Sequence, residues 1–488
     1  MQRKNSLPRR TTLKKMGAAG VLAFAGPAAA SAETNTPARP ERPGMAADIR
    51  KRIAEKVRRT PFIDTHEHLL EEKSRTSVKP GSRVTCDDWT FVLCHYFDSD
   101  LVSAGMPEKD YTRFFSPGLD PAGKWKLLEP WWPAVKNTGY GQAVSIALRE
   151  LYGADELSAR TVREVQAGYE RVRRAGFYER ILRGMANIES CQVNCLEGVP
   201  FMESAQPTLL MQDLSIVGMF DGPDFETLGK PTGKTVASLD DWHSVIDWWF
   251  AKYGALATAV KSQNAYNRNI DYEDVPAGKV SDIFIRRLNG KPLAPAEKKA
   301  LEDHLFWYAA RKATEHHLPV KLHTGYYAQW VGKPDRMPLS RLQKNPGAAT
   351  DLCSMAPDTR FVFMHICYPY YEDMIAVAKQ NPNAFIDMCW AWIINPVAAK
   401  DFLKKYLVTA PANKVLTFGG DYIPVEPVLG HAAIARNGIT LALCELVEEG
   451  WMSLDGALEL TDPIMHGNAR GIFNLDEKKR RLEGVKRG

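Results

Sequence analysis

Eight short apolar runs recur between residues 62 and 418, and stretches of helical periodicity separate most of them. The runs are 62–65, 190–196, 209–214, 257–261, 319–323, 361–365, 384–388 and 415–418. Runs this short and this uniformly apolar suit strands buried on both faces, as in a parallel sheet whose crossovers are helices. Helical stretches are expected at 240–253, with Asp240 or Asp241 as cap, and at 295–312, 371–379 and 396–406. Eight such units predict an α/β fold closed into a (β/α)8 TIM barrel.

One interval breaks the rhythm. About 120 residues separate the first run from the second, too many for a structureless loop. The stretches 141–152 and 158–173 have helical character, and Trp125, Trp131 and Trp132 supply apolar bulk. The spacing predicts a long, mostly helical insertion at about 70–188. A loop that follows a barrel strand lies on the rim where barrels place their sites. The insertion is therefore expected to serve as a lid or as the interface of a homo-oligomer.

Residues 1–32 have another character. Arg9-Arg10-Thr11-Thr12-Leu13-Lys14 precedes an Ala- and Gly-rich apolar run, and Ala30-Ser31-Ala32 has the small-x-small form of a cleavage site. The pattern predicts a twin-arginine export signal and a periplasmic or secreted protein. Residues 33–59 are expected to form a leader and an N-terminal helix, with the barrel at 60–488. Six of the 63 Lys and Arg and none of the 58 Asp and Glu lie in residues 1–32, so the formal charge of +5 falls to about −1 once they are removed. The basicity belongs to the signal, and nothing in the mature chain suggests a nucleic-acid surface. No later stretch is apolar for long enough to span a membrane. The eight cysteines are scattered, several inside strand-like runs where a free thiol packs as a small core residue. Cys191 and Cys195 lack a second pair at zinc-ribbon spacing and read as structural.

The polar residues fall at the ends of the runs. The first run leads into His66 and His68, the fourth ends in Lys261, the fifth in His323 and the sixth in His365, and the eighth leads through Gly419 and Gly420 to Asp421. On a strand, His66 and His68 point the same way. Closing a barrel brings all these ends to one rim, where imidazoles and a carboxylate suit Zn²⁺ or a similar divalent ion.

This order of residues resembles the amidohydrolase superfamily. Phe418-Gly419-Gly420-Asp421-Tyr422-Ile423-Pro424 and the terminal 464–473 stretch resemble its amidohydrolase-2 branch, and the insertion is more loosely similar to uronate isomerases. The resemblance implies His66, His68, His323 and Asp421 as metal ligands, with Asp421 also a proton shuttle. It implies His365 as an oxyanion stabiliser or second acid/base. A metal lowers the pKa of bound water and makes hydroxide available. The implied activity is hydrolysis of an amide, ester or lactone bond in a small, carboxylate-bearing substrate. A decarboxylase or a uronate-type isomerase on the same barrel is the alternative.

Lys261 divides the one-metal form, expected here with Zn²⁺, from a two-metal form bridged by carboxylated Lys261. The polar exit Lys261-Ser262-Gln263-Asn264-Ala265-Tyr266-Asn267-Arg268 also marks Tyr266 and Arg268 as substrate contacts. Trp330, Trp390 and Trp392 could line a pocket or pack the core. His316, His317, His431 and His466 read as structural, and His95, in the insertion, could reach the site but reads first as core or surface. Asp64 is expected to orient an imidazole, and Glu67 to point away from the metal.

Overall fold

The protein is seen here as a computed structural model that describes residues 45–77, 86–221, 225–328 and 337–485. The expected export signal at 1–32, most of the expected leader and Trp330 lie outside the described residues.

Among the described residues nine strands occupy eight positions around a parallel barrel. They are β1 (Phe62–Glu67), β2 (Ile188–Val193), β3 (Leu210–Gln212), β4 (Leu214–Ser215), β5 (Val260–Ser262), β6 (Val320–Leu322), β7 (Phe361–Phe363), β8 (Ala384–Asp387) and β9 (Val415–Leu416). β1, β2 and β3 pair in that order, and β4 to β9 pair in theirs. β3 and β4 form one barrel position interrupted at Asp213. The Asp213 amide donates to Val193 O on one side and the Leu214 amide to Ala259 O on the other, both at 2.9 Å. The last seam is closed by the backbone beyond β9. Thr65 N donates to Phe418 O at 3.0 Å, Asp421 N to His66 O at 2.9 Å and His68 N to Tyr422 O at 3.0 Å.

The barrel interior is layered. At its base Ile63, Met211, Ala259, Val362 and Leu416 come from alternate positions and pack on Ile472, Phe473 and Leu475 of the C-terminal segment. Burying a ring such as Phe473 is worth about 1.5–3 kcal/mol. Above lies a polar layer. The Lys321 ammonium uses its three protons on Thr65 O (2.7 Å), Gln192 Oε1 (2.6 Å) and Asp213 Oδ2 (2.8 Å). Full pairing of this kind is what makes a buried ammonium tolerable.

Helices cross between the strands near the expected places, at Leu239–Tyr253, Pro295–Glu315, Tyr371–Gln380 and Pro396–Thr409. The first of these corrects an expectation. Its cap is Ser238, whose hydroxyl accepts from Asp241 N while the Asp241 carboxylate accepts from Ser238 N. Asp241 is thus the third residue of a capping box rather than the cap.

Between β1 and β2 the chain forms the helical insertion, including Phe97–Ser103, Glu108–Phe114, Pro121–Leu128, Gly139–Tyr152 and Val162–Val172. An ion pair sealed from water ties its start to the barrel. Arg75 Nη2 lies 2.8 Å from Glu426 Oε1, and its guanidinium stacks 4.2 Å over the Phe91 ring. Arg75 follows the first two histidines and Glu426 follows Asp421, so the pair fastens the two sides of the closing seam. Among the described residues no helix is long and apolar enough to cross a membrane.

Candidate metal centre

The strand ends meet above the polar layer, sealed from solvent. His66, His365 and Lys261 are fully buried, and His68, the most open of the set, is 8% exposed. Asp421 stands at the centre. Its Oδ1 lies 3.1 Å from His66 Nε2 and 3.3 Å from His68 Nε2, while its Oδ2 faces His365 Nε2 at 3.9 Å. His66, His68 and Asp421 offer ligand atoms within 4.8 Å of one another. His323 lies outside that group. Its ring centroid is 4.4 Å from that of His365 and 4.6 Å from Tyr266.

Backbone carbonyls set the tautomers. His68 Nδ1–H donates to Asn194 O at 2.7 Å and His365 Nδ1–H to Cys389 O at 3.0 Å, leaving a lone pair on each Nε2. His323 is turned the other way, donating from Nε2 to Tyr326 O at 2.8 Å. Both ring nitrogens of His66 are buried without a hydrogen-bond partner, as is His365 Nε2. Neutral imidazoles with uncommitted, buried lone pairs beside a carboxylate fit a divalent ion of the zinc type.

The electrostatics agree. Burial, and then the Lys261 charge, hold His66 and His323 well below the usual histidine range. Burial, with His95 for His68 and with His323 for His365, does the same to the other two. Burial raises the Asp421 carboxyl, with Lys261 pulling against it, and lowers the Lys261 ammonium, with Asp421 pulling against that. Lys261 Nζ is buried with no hydrogen-bond partner.

Strain is concentrated at the same place. His365 (φ 62°), Trp390 (φ 64°), Asp421 (φ 65°), His95 (φ 63°) and Tyr96 (φ 104°) all occupy the left-handed region, which costs a non-glycine residue about 1–3 kcal/mol. Gly420 lets the strand extension reach Asp421. A Cβ there would collide with Glu67 Oε1. Glu67 accepts from Tyr422 N at 2.6 Å and shares a hydrogen bond with Asp64; burial raises both carboxyls, and the Asp64 charge raises Glu67 further while the shared hydrogen bond pulls Asp64 down. Asp64 takes the His66 and Gly420 amides at 3.2 Å each, so it braces backbone rather than the expected imidazole.

Residues 290–475 match the family model described as Amidohydrolase. That match spans less than half of the chain, and over it the chain is similar to amidohydrolases. Protein fluG of Emericella nidulans is 24% identical over 171 residues, which are 35% of this chain and 19% of that protein. The chain thus matches about a fifth of the length of that curated relative. The uronate isomerase of Thermotoga maritima superposes with a TM-score of 0.68 at 14% identity, covering 87% of this chain and 97% of its own. The glucuronate isomerase of Caulobacter crescentus gives 0.70 at 16% identity, covering 90% and 96%. At these identities the likeness to the two structures is one of fold.

Two sequence expectations need correction. Arg268 does not face the site. Its guanidinium meets Glu302 at 3.1 Å and Asp303 at 2.6 Å and stacks 4.6 Å over Tyr272. The short 3₁₀ turn Asn264–Tyr266 swings the chain off the rim before Arg268 is reached. His365 is not an oxyanion donor in its neutral form, because the Nε2 that faces Asp421 carries the lone pair. Tyr266, by contrast, stays on the rim, its ring against His323 and Tyr327 and its hydroxyl accepting from Ala328 N at 3.1 Å.

Other residues reach the centre, of which Tyr96 and Asp213 had no role in the sequence reading while His95 and Trp390 were left open. Tyr96 reaches in from the insertion. Its hydroxyl hydrogen-bonds Asp421, and its ring stacks 4.4 Å from Trp390. The His95 ring stands 5.9 Å from that of His68. Trp390 lies 5.3 Å from His365, whereas Trp392 donates to Thr417 O and packs the core. Asp213, in the gap between β3 and β4, comes within 4.0 Å of His66 Nδ1. Only the break in an apolar run at Asp213 could have pointed to it.

Proposed function

We propose that the protein is a metal-dependent hydrolase that cleaves an amide, ester or lactone bond in a small molecule. The observation that carries this reading is Asp421, sealed in the barrel mouth with one oxygen on two metal-competent imidazoles and the other facing away from them. His66, His68 and Asp421 would hold the ion, and nitrogen and oxygen donors of this kind suit Zn²⁺. A bound divalent ion supplies Lewis acidity to the carbonyl under attack and to the attacking water.

The chain's own groups supply the rest. Asp421, its carboxyl raised by burial, takes the proton of the attacking water on Oδ2 and returns it to the leaving nitrogen or oxygen. Lys261 Nζ, buried with no hydrogen-bond partner, donates to the developing oxyanion. Tyr96 holds Asp421 in place from the insertion, and the stacked rings of Tyr96 and Trp390 exclude bulk water. Tyr266 contacts substrate beside His323. Among the described residues, Lys261 also offers a buried cation to a substrate carboxylate.

One observation favours a second reading. The fold is shared with a uronate isomerase and a glucuronate isomerase over 87–90% of this chain. In that reading Asp421 moves a proton between neighbouring carbons of a sugar acid. Incubation with lactones, N-acyl compounds, aromatic acids and uronates, with product mass recorded, separates the readings. Hydrolysis adds the mass of water. An unchanged product mass replaces it with isomerisation, and loss of carbon dioxide replaces it with decarboxylation.

Export by the twin-arginine route is part of the same proposal. The small-x-small site places the mature N-terminus at Glu33. N-terminal sequencing of protein recovered from the periplasm tests this, and a retained Met1 in that fraction would reject it.

A further inference from the structure

His66 lies between two carboxylates. Asp421 Oδ1 is 3.1 Å from its Nε2, and Asp213 Oδ2 is 4.0 Å from its Nδ1. All three residues are buried, and neither ring nitrogen has a hydrogen-bond partner. A neutral imidazole carries one proton, and its position decides whether Nε2 can take an ion. On Nε2 the proton would occupy the lone pair on the Asp421 side, whereas on Nδ1 it leaves that lone pair free. His68 and His365 settle the same question with backbone carbonyls, Asn194 O at 2.7 Å and Cys389 O at 3.0 Å. His66 has no such bond, and the acceptor on its Nδ1 side is Asp213.

Asp213 is firmly held. It stands at the break between β3 and β4, where one barrel position passes from one neighbour to the next. Thr258 Oγ1 donates to its Oδ1 at 2.6 Å, and the Lys321 ammonium donates to its Oδ2 at 2.8 Å. These two donors fix the carboxylate and leave Oδ2 with capacity for another. At 4.0 Å its pull on His66 is that of a charge rather than of a formed hydrogen bond.

We propose that Asp213 is a positioning residue for the metal, drawing the His66 proton to Nδ1 and so presenting Nε2 to the ion. A carboxylate behind a ligating imidazole fixes the tautomer and raises the basicity of the ligand. The proposal rests on the reading of His66, His68 and Asp421 as the metal site. A purely structural role would be to neutralise Lys321, and Gln192 separates the two roles. Gln192 also holds Lys321, at 2.6 Å, but makes no hydrogen bond to His66.

Metal-free protein titrated with Co²⁺ against a competing chelator tests this, with the dissociation constant read from the cobalt d–d band. Asp213→Asn is expected to weaken Co²⁺ binding about 10–100-fold, because an amide has no charge to draw the proton and can itself donate to Nδ1. Gln192→Met is expected to bind Co²⁺ as the wild type does, although it too removes a partner of Lys321. Equal weakening in both variants would reduce Asp213 to a partner of Lys321 and overturn the proposal. Wild-type affinity in Asp213→Asn would overturn it as well, and leave the metal site standing. Lys321→Met keeps the test open if Asp213→Asn misfolds. It frees Asp213 of a competing donor and should hold or tighten Co²⁺, so weaker binding in this variant would overturn the proposal. A wild type that binds no Co²⁺ would overturn the reading of the metal site, and this proposal with it.

Discussion

Asp421 Oδ1 lies 3.1 Å from His66 Nε2, across the seam where the end of the barrel meets its beginning. The two residues are also joined by backbone, Asp421 N donating to His66 O. One seam therefore closes the barrel and assembles the centre. Anything that loosens it should disturb both.

Asp421→Asn keeps the shape of the side chain and removes its basicity. Turnover is expected to fall by about 10²–10⁴-fold. His66 and His68 remain, so part of the metal should stay bound. Single-turnover rates together with metal content would show this, and undiminished turnover would remove Asp421 from proton transfer.

Chelation should destabilise the barrel as well as silence it. An ion bound only by the folded state stabilises it by about 2.7 kcal/mol at roughly a hundredfold excess over Kd. A chelator is therefore expected to lower Tm in the wild type. His66→Ala, already poor in metal, should show little further drop.

Arg268 is expected to matter for stability rather than for substrate. Arg268→Ala takes the guanidinium from Glu302 and Asp303, which keep Lys298 at 3.3 Å and Lys299 at 2.5 Å, and should cost about 1.5–3 kcal/mol. Denaturant unfolding would measure that loss, while KM at a permissive temperature should stay unchanged. A KM increase with intact stability would restore the substrate role.

His431 predicts part of the acid limb of stability. Burial pushes it down to about 3 from its ordinary 6.5, so it stays neutral in the fold. Below about pH 6.5 the unfolded chain takes up a proton that the folded chain refuses. Stability therefore falls as pH drops from about 6.5 to about 3, by about 1.4 kcal/mol per unit for this one group. In metal-free protein, His431→Gln should flatten that slope by one proton, as read from unfolding curves at several pH values.

The barrel was legible because its strands are short, apolar and spaced by helices, and because chemistry sits where each strand stops. His66, His68, His323, His365, Lys261 and Asp421 all announce themselves by that position. What could not be read depends on direction rather than place. Arg268 looks like a substrate contact until a 3₁₀ turn points it outward. Lys321 sits within an apolar run and gives no sign that it points into the barrel to hold Asp213. Cys389 reads as core until the bend at Trp390 and the bare Gly419 put its sulfur beside Asp421. Tyr96 reaches the centre only through a strained backbone inside the insertion, and no periodicity encodes that.

The reaction itself can be asked most directly in water labelled with heavy oxygen. With a substrate cleaved by the wild type, mass spectrometry should find one solvent oxygen in the newly formed carboxyl group, appearing about 10²–10⁴-fold more slowly with Asp421→Asn. A product that forms at full rate with no solvent oxygen in its carboxyl group would contradict hydrolysis at this centre.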